Sequence, residues 1–194
     1  MPLPAGFTSL FNGQNLAGWH VSMTNHHGRT SEWRILEGGV LTATQSAPGV
    51  GGILLSDDIY KDFEVYVEIR PDFGCDGGLF LRSNPDGHAY QVMIDYLEGG
   101  SVGGIYGERL PGTQGAPARD FWKLWKKDDW NSLRARIEGA PPRIQVWMNE
   151  QLLTDWRDTE TRRADGHIAL QVHGGKRWVA GKFHRFRQVG VRAL

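Results

Sequence analysis

Residues Asp62–Pro71 read DFEVYVEIRP, and their alternation decides the fold class. Phe63, Val65, Val67 and Ile69 take every second position, with Glu64, Tyr66, Glu68 and Arg70 between them. Successive side chains of a strand point to opposite faces, so an extended strand here buries the first set and exposes the second. RIQVWMN repeats the pattern, with Ile144, Val146 and Met148 set against Arg143, Gln145 and Trp147. HIALQVHGG does so again, with Ile168, Leu170 and Val172 inward and His167, Ala169, Gln171 and His173 outward. WRILEG, GVLTAT, GILLS, GGLFLRS, AYQVMIDY, SLRARIEG and FRQVGVRAL are further strand segments separated by Gly, Pro and Asn turn signals. About ten short, evenly spaced strands predict an all-β sandwich of two sheets.

Composition agrees with that reading. Twenty-six glycines and nine prolines in 194 residues leave little room for long helices. GAPPR, Gly139–Arg143, reads as a hairpin turn, because proline cannot donate to a central ladder. The length is that of one domain, residues 1–194. One stretch is too long for an ordinary connection: GERLPGTQGAPARDFWKLWKKDDW, at about 107–130, is expected to be a functional loop with a helical turn near DFWKLW.

Twenty-two basic and twenty-two acidic residues balance, so no strong positive field exists to draw nucleic acid or an anionic membrane. No apolar run approaches the roughly 20 residues of a membrane span. The opening MPLPAGFTSLF lacks a basic flank followed by an apolar segment, so as written the chain reads as soluble and without a signal peptide. Its compartment and oligomeric state are not encoded in any motif. Cys75, the single cysteine, forms no intramolecular disulfide and reads as a small hydrophobe.

Phosphate-binding glycine loops, Cys-x-x-Cys pairs, His-Glu-x-x-His and Gly-x-Ser-x-Gly elbows are all missing from the sequence. Eight tryptophans and polar sheet faces point to carbohydrate, whose C–H faces stack on aromatic rings while hydroxyls bond to polar side chains. Glycoside hydrolysis by two carboxylates has one candidate pair, Glu64 and Glu68 of FEVYVE. It looks like the Glu-x-Asp-x-Glu strand of sandwich glucanases with the middle acid missing, and gives the reading of a retaining β-glucanase.

GFTSLFNGQNLAGW, Gly6–Trp19, resembles the opening of the bacterial 3-keto-disaccharide hydrolase domains, also called 3-keto-α-glucoside 1,2-lyase/3-keto-2-hydroxy-glucal hydratases. That opening reads Phe-x-x-Leu-Phe-x-Gly-x-x-Leu-x-x-Trp, matched by Phe7, Leu10, Phe11, Gly13, Leu16 and Trp19. The resemblance continues through WRILEGGVL, GGLFLRS, YQVMIDY, GGIYGE, VWMNEQLLTDW and GHIALQVHGG, nearly to the end of the chain. Asp76-Gly77-Gly78 stands where many members carry Asn-Ser-Gly, and Ala89 where they often have Glu.

The resemblance implies a concanavalin A-like jelly-roll sandwich of two antiparallel sheets, with a site on the concave sheet and a periplasmic or secreted location allowed. It also implies cleavage of 3-keto glycosides. A ketone at C3 acidifies the C2 proton, so a base can remove it while the C1 substituent leaves, and water then adds to the alkene. That chemistry needs a base near neutral pKa, an electrophile for the enolate oxygen and an acid for the leaving group. His173 in LQVHG is the candidate base, Asp95 the proton carrier, and Arg82 the fixed cation for the ketone. Gln91, Gln171, Tyr106, Glu108, Asp76 and Lys176 are candidate substrate contacts. A non-catalytic, lectin-like module on the same fold is the competing reading.

WHVSMTNHHG, Trp19–Gly28, adds His26 as a candidate contact and His27 as a candidate catalytic group. Adjacent side chains of an extended chain diverge, so the pair alone is no metal motif. With Asp76, Asp95 or Glu108, one of the two could hold a divalent ion that polarises the ketone.

Overall fold

A computed structural model describes residues 2–194. Fourteen strands form two antiparallel sheets that pack face to face. One sheet runs in the order β12 (Gln151–Arg157), β11 (Arg143–Met148), β10 (Asn131–Glu138), β6 (Phe63–Ile69), β14 (His184–Ala193), β4 (Val40–Ala43), β3 (Trp33–Leu36). β1 (Thr8–Ser9) pairs with β14 beside it. The other runs β2 (Trp19–Val21), β5 (Gly52–Tyr60), β13 (Gly166–Val172), β7 (Gly77–Ser83), β8 (Ala89–Ile94), β9 (Val102–Glu108). This is the jelly-roll sandwich that the alternation and the resemblance predict. No helix among the described residues is long and apolar enough to cross a membrane.

The core forms where the alternation demands. Phe63, Val65, Val67 and Ile69 of β6 face Leu79, Leu81, Ile168, Leu170 and Val172 of the opposite sheet, all fully buried. Fully burying one such side chain is worth roughly 1.5–3 kcal/mol. Cys75 is buried and free, and its burial pushes the thiol pKa up.

The outward half of the β6 pattern departs from expectation. Glu64 and Glu68 are buried, only 1% and 3% exposed. The strands on either side supply the cover: Arg134 and Arg136 of β10 and Arg192 of β14 bond Glu64, and Arg187 of β14 bonds Glu68. Glu64 and Glu68 therefore lie on the outward face of the eight-stranded sheet, each neutralised by arginine.

A second, smaller apolar cluster shapes the outward face of the six-stranded sheet. Ile53, Leu55, Phe80, Ala89 and Ala169 are fully buried there. Loops cover them: the Ser22 hydroxyl donates to the Pro85 carbonyl at 2.6 Å, and Gly87 packs directly on Ile53, Phe80 and Asn25. This plug occupies the face over β5, β13 and the middle of β7. The part over β8, β9 and the starting end of β7 remains open.

The long loop begins at Arg109, because β9 continues through Glu108, and it contains a single 3-10 turn, Phe121–Lys123, inside the DFWKLW stretch. It folds back along β9, where Ala116 and Ile105 exchange backbone hydrogen bonds of 2.9 and 2.7 Å. Gly115 makes that approach possible, since a Cβ there would sit 2.3 Å from the Ile105 carbonyl oxygen.

Candidate functional site

An open cavity of about 630 Å³ occupies the exposed part of the six-stranded sheet. Its volume falls in the range of small-molecule sites. β8 contributes Gln91 and Met93 and leads to Asp95, β9 contributes Tyr106 and Glu108, and Asp76 and His173 flank the ends of β7 and β13. His26 closes one side, and Arg109, Leu110, Pro111 and Thr113 of the long loop close the other.

Strand register makes the central pair. Val172 pairs with Gly77, so His173 and Asp76, one step beyond, face each other. The His173 N–H donates to the Asp76 carbonyl at 3.0 Å, and His173 Nδ1 lies 3.1 Å from the Asp76 carboxyl. Burial, reinforced by the charge of Asp95, pushes the Asp76 carboxyl up to about 7. Burial also raises Asp95, although its Oδ1 accepts the Leu97 N–H at 3.3 Å. His173 moves down, because burial disfavours its cation more than Glu108 and Asp95 favour it. Burial thus favours the neutral imidazole and holds the neighbouring carboxyl's proton well above the ordinary carboxylate range.

A second cluster lies next to the first. His26 Nε2 is 2.9 Å and His27 Nε2 3.6 Å from the Glu108 carboxylate. The two imidazole nitrogens and one carboxylate oxygen lie within 4.8 Å of one another. Burial pushes the Glu108 carboxyl up, and the hydrogen bond and charge of His27, with His26 and His173, outweigh it, so the net shift is downward. Burial, then the neighbouring His27, lowers His26.

The adjacent histidines converge rather than diverge, with ring centroids 3.9 Å apart. The extended geometry assumed from sequence is replaced by a turn. Asn25 Oδ1 accepts the His27 N–H at 2.9 Å while its amide donates to the Ser22 and Gly28 carbonyls. His27 is buried behind His26 and braced from below: Gln91 donates to Gln171, and Gln171 donates to His27 Nε2 at 2.8 Å. Gly78 clears the path, since a Cβ there would lie 2.5 Å from the Gln91 amide nitrogen.

Three expectations need correction. Arg82 does not reach the cleft: it is fully buried at the far end of β7 from Asp76, about 20 Å along the strand. A β-bulge opposite His167–Ala169 and a left-handed backbone at Arg82, φ 54°, turn its side chain toward the loops. There it bonds Asp62 at 2.8 Å and the carbonyls of Lys61, Gly139 and Arg163. Gln171 is fully buried beneath the cavity floor and acts as a brace, not a lining group. Lys176 is exposed on the turn after His173 and does not line the cavity. His20, the third histidine of its stretch, sits instead at the sheet edge against Asp57, at 2.6 Å.

Gln91, Asp95, Tyr106, Glu108, Asp76, His26 and His173 line this one cavity, with His27 directly behind. Sequence reasoning missed Arg109, held at the rim with φ 52°, and Arg177, whose charge acts on both Asp76 and Asp95.

The fold is shared with several carbohydrate proteins of known structure. A Bacillus licheniformis β-glucanase aligns with a TM-score of 0.68 and 14% identity over 98% of this chain and 99% of its own. A proposed glycosyl hydrolase from Parabacteroides distasonis ATCC 8503 aligns with a TM-score of 0.65 and 14% identity, covering 97% and 94%. The carbohydrate-binding module CBM66 from Bacillus subtilis gives 0.61 and 16%, covering 91% and 96%. No curated protein matches this sequence. The sequence profile of the 3-keto-alpha-glucoside-1,2-lyase-like domain matches residues 6–192, and the chain belongs to that family.

Proposed function

We propose that this protein cleaves glycosides whose sugar carries a ketone at C3, by removal of the C2 proton and loss of the C1 substituent. The observation that carries the reading is the Asp76–His173 contact of 3.1 Å inside an open cavity that also presents Asp95 and Glu108. His173, kept neutral by burial, accepts the C2 proton, and Asp76 orients the imidazole through their 3.1 Å contact. Asp95, raised by burial, donates a proton to the departing C1 oxygen. The leaving alcohol departs with that proton, the sugar keeps a C1–C2 double bond, and water adds to it with its oxygen at C1.

Arg82 is too remote to polarise the ketone, and the groups nearer the cavity that could do so are Arg109 at its rim and the His26–His27–Glu108 cluster. Two imidazole nitrogens and one carboxylate oxygen form a donor set that suits a divalent first-row metal, and these three residues would hold one once the Gln171 amide swings off His27 Nε2 and frees its lone pair. When bound, such an ion would supply Lewis-acid polarisation of a carbonyl oxygen.

Incubation with a 3-keto disaccharide deuterated at C2, with and without added divalent metal, tests the reading. The expected result is a 3-keto monosaccharide with deuterium lost to solvent. Absence of product in both conditions, or product that keeps all its deuterium, would overturn it. Tight binding of unoxidised glycans in the cleft without turnover would favour the lectin-like reading instead. The β-glucanase reading loses its support from geometry, because Glu64 and Glu68 lie on the other sheet under arginines.

A further inference from the structure

On the outward face of the eight-stranded sheet, opposite the cleft, two cavities of about 310 and 500 Å³ share Pro4, Tyr66, Ser132 and Glu150. Together they make one groove across β6 and β10, between the N-terminal segment and the turn joining β11 to β12. Four half-buried aromatic rings line it: Phe7, Tyr66, Trp130 and Trp147. Three carry a guanidinium against the ring, Arg134 on Trp147 at 3.8 Å, Arg187 on Trp130 at 4.1 Å and Arg192 on Phe7 at 5.2 Å.

The charges of the floor decide what the groove can take. Arg134 and Arg192 already bond Glu64, at 3.1 and 2.7 Å, and Arg187 already bonds Glu68. Lys126 adds a cation to the rim of the larger cavity, but Asp129 and Glu150 line the same cavity, so an anion would find little net positive charge. Guanidinium edges, the Ser132 hydroxyl and the Glu150 carboxylate still offer both donors and acceptors. The arginines cover one face each of Trp147, Trp130 and Phe7, so sugar C–H faces would pack on Tyr66 and on the ring surface the guanidiniums leave uncovered, with the polar groups taking the hydroxyls.

We propose that this groove is a second saccharide-binding site, for neutral hexose oligosaccharides that occupy both cavities end to end. It goes beyond the cleavage reaction and does not depend on it. The body of the sandwich separates it from the cleft, with about 10 Å between the sheets alone. A glycan held there leaves the cleft free for a small substrate.

Calorimetric titration with unoxidised cellotetraose and maltotetraose is the test, run on the wild type, Tyr66→Ala, Ser132→Phe and His173→Ala. Ser132→Phe blocks the junction of the two cavities without removing any Arg–Glu pair, which guards against a Tyr66→Ala variant that fails to fold. At least one tetrasaccharide is expected to bind the wild type and His173→Ala alike, and about tenfold or more weakly to both groove variants. The proposal is overturned if neither sugar binds the wild type, if folded Ser132→Phe binds as well as the wild type, or if His173→Ala alone abolishes binding. Sedimentation giving a dimer that Ser132→Phe dissociates would assign the face to a second copy of the chain and overturn it too.

Discussion

Asp76 and His173 meet at 3.1 Å because Gly77 and Val172, one residue inside each, are paired between β7 and β13. A sheet register thereby sets a carboxyl–imidazole contact, and the rigidity of the sandwich is passed directly to the two side chains.

Asp76→Asn should separate stability from activity. The Asp76 carboxyl is raised to about 7, above its unfolded value, so the native state keeps a proton that the unfolded chain releases. The favourable contribution is complete below the unfolded value, about pH 4, and is lost as pH rises through 7. Asparagine carries no charge to bury, so the variant should gain roughly 1–3 kcal/mol over the wild type at about pH 8 and little at about pH 4. Turnover of a 3-keto disaccharide should fall about 100-fold. Thermal melts at the two pH values check the sign, and a variant less stable at the higher pH would contradict the raised carboxyl.

His173 has the opposite sense. Its pKa lies below the ordinary 6.5, so the neutral base persists into mildly acidic solution and the acid limb of kcat/KM should fall below that value. The buried neutral ring adds stability above the unfolded value that is lost as pH falls through the folded one. His173→Gln should lower kcat about 100- to 10,000-fold and remove that limb from the pH profile.

Gly78→Ala tests the brace under the histidines. A Cβ there would stand 2.5 Å from the Gln91 amide nitrogen and push that side chain off Gln171. A stability cost of roughly 1–3 kcal/mol is expected. The His27 ring resonances should shift with it, which proton–nitrogen spectra would detect; unchanged His27 resonances would mean that the amide chain does not hold the ring.

Arg82→Met should act on folding alone. It strands the partly buried Asp62 carboxylate and removes donors from three carbonyls, for a loss of about 3 kcal/mol in denaturant unfolding. Activity per folded molecule should stay at the wild-type level. A large drop in kcat with intact stability would instead return Arg82 to the reaction.

The strands and their inward faces were legible because a period of two survives every local accident: Phe63, Val65, Val67 and Ile69 are all buried as read. Gln91, Asp95 and His173 were legible for the same reason, each sharing a strand face with its neighbours. Arg82 was misread because one bulge beside it inverts the parity on which its assignment rested. His26 and His27 were misread because the Asn25 turn replaces the extended chain that would have parted them. Nothing in β6 itself announces that Glu64 is buried, since its cover comes from β10 and β14, distant in sequence. Arg109 lies in a stretch with no periodicity, so only the folded loop reveals where it stands.

The apolar plug over β5, β13 and β7 limits how much of the sheet a ligand can use. β8, β9 and the starting end of β7 remain, and at roughly 4.8 Å per strand the usable width is about 14 Å. Under the proposed function, that width suits a short glycoside laid crosswise and leaves a longer chain without the full breadth of the sheet. Replacing Phe80 by alanine would not widen it, because the loops around Pro85 and Asn25 still close over the gap. Selection for long chains would have to remodel backbone, whereas selection among small glycosides needs only new side chains at Tyr106, Arg109 and Thr113.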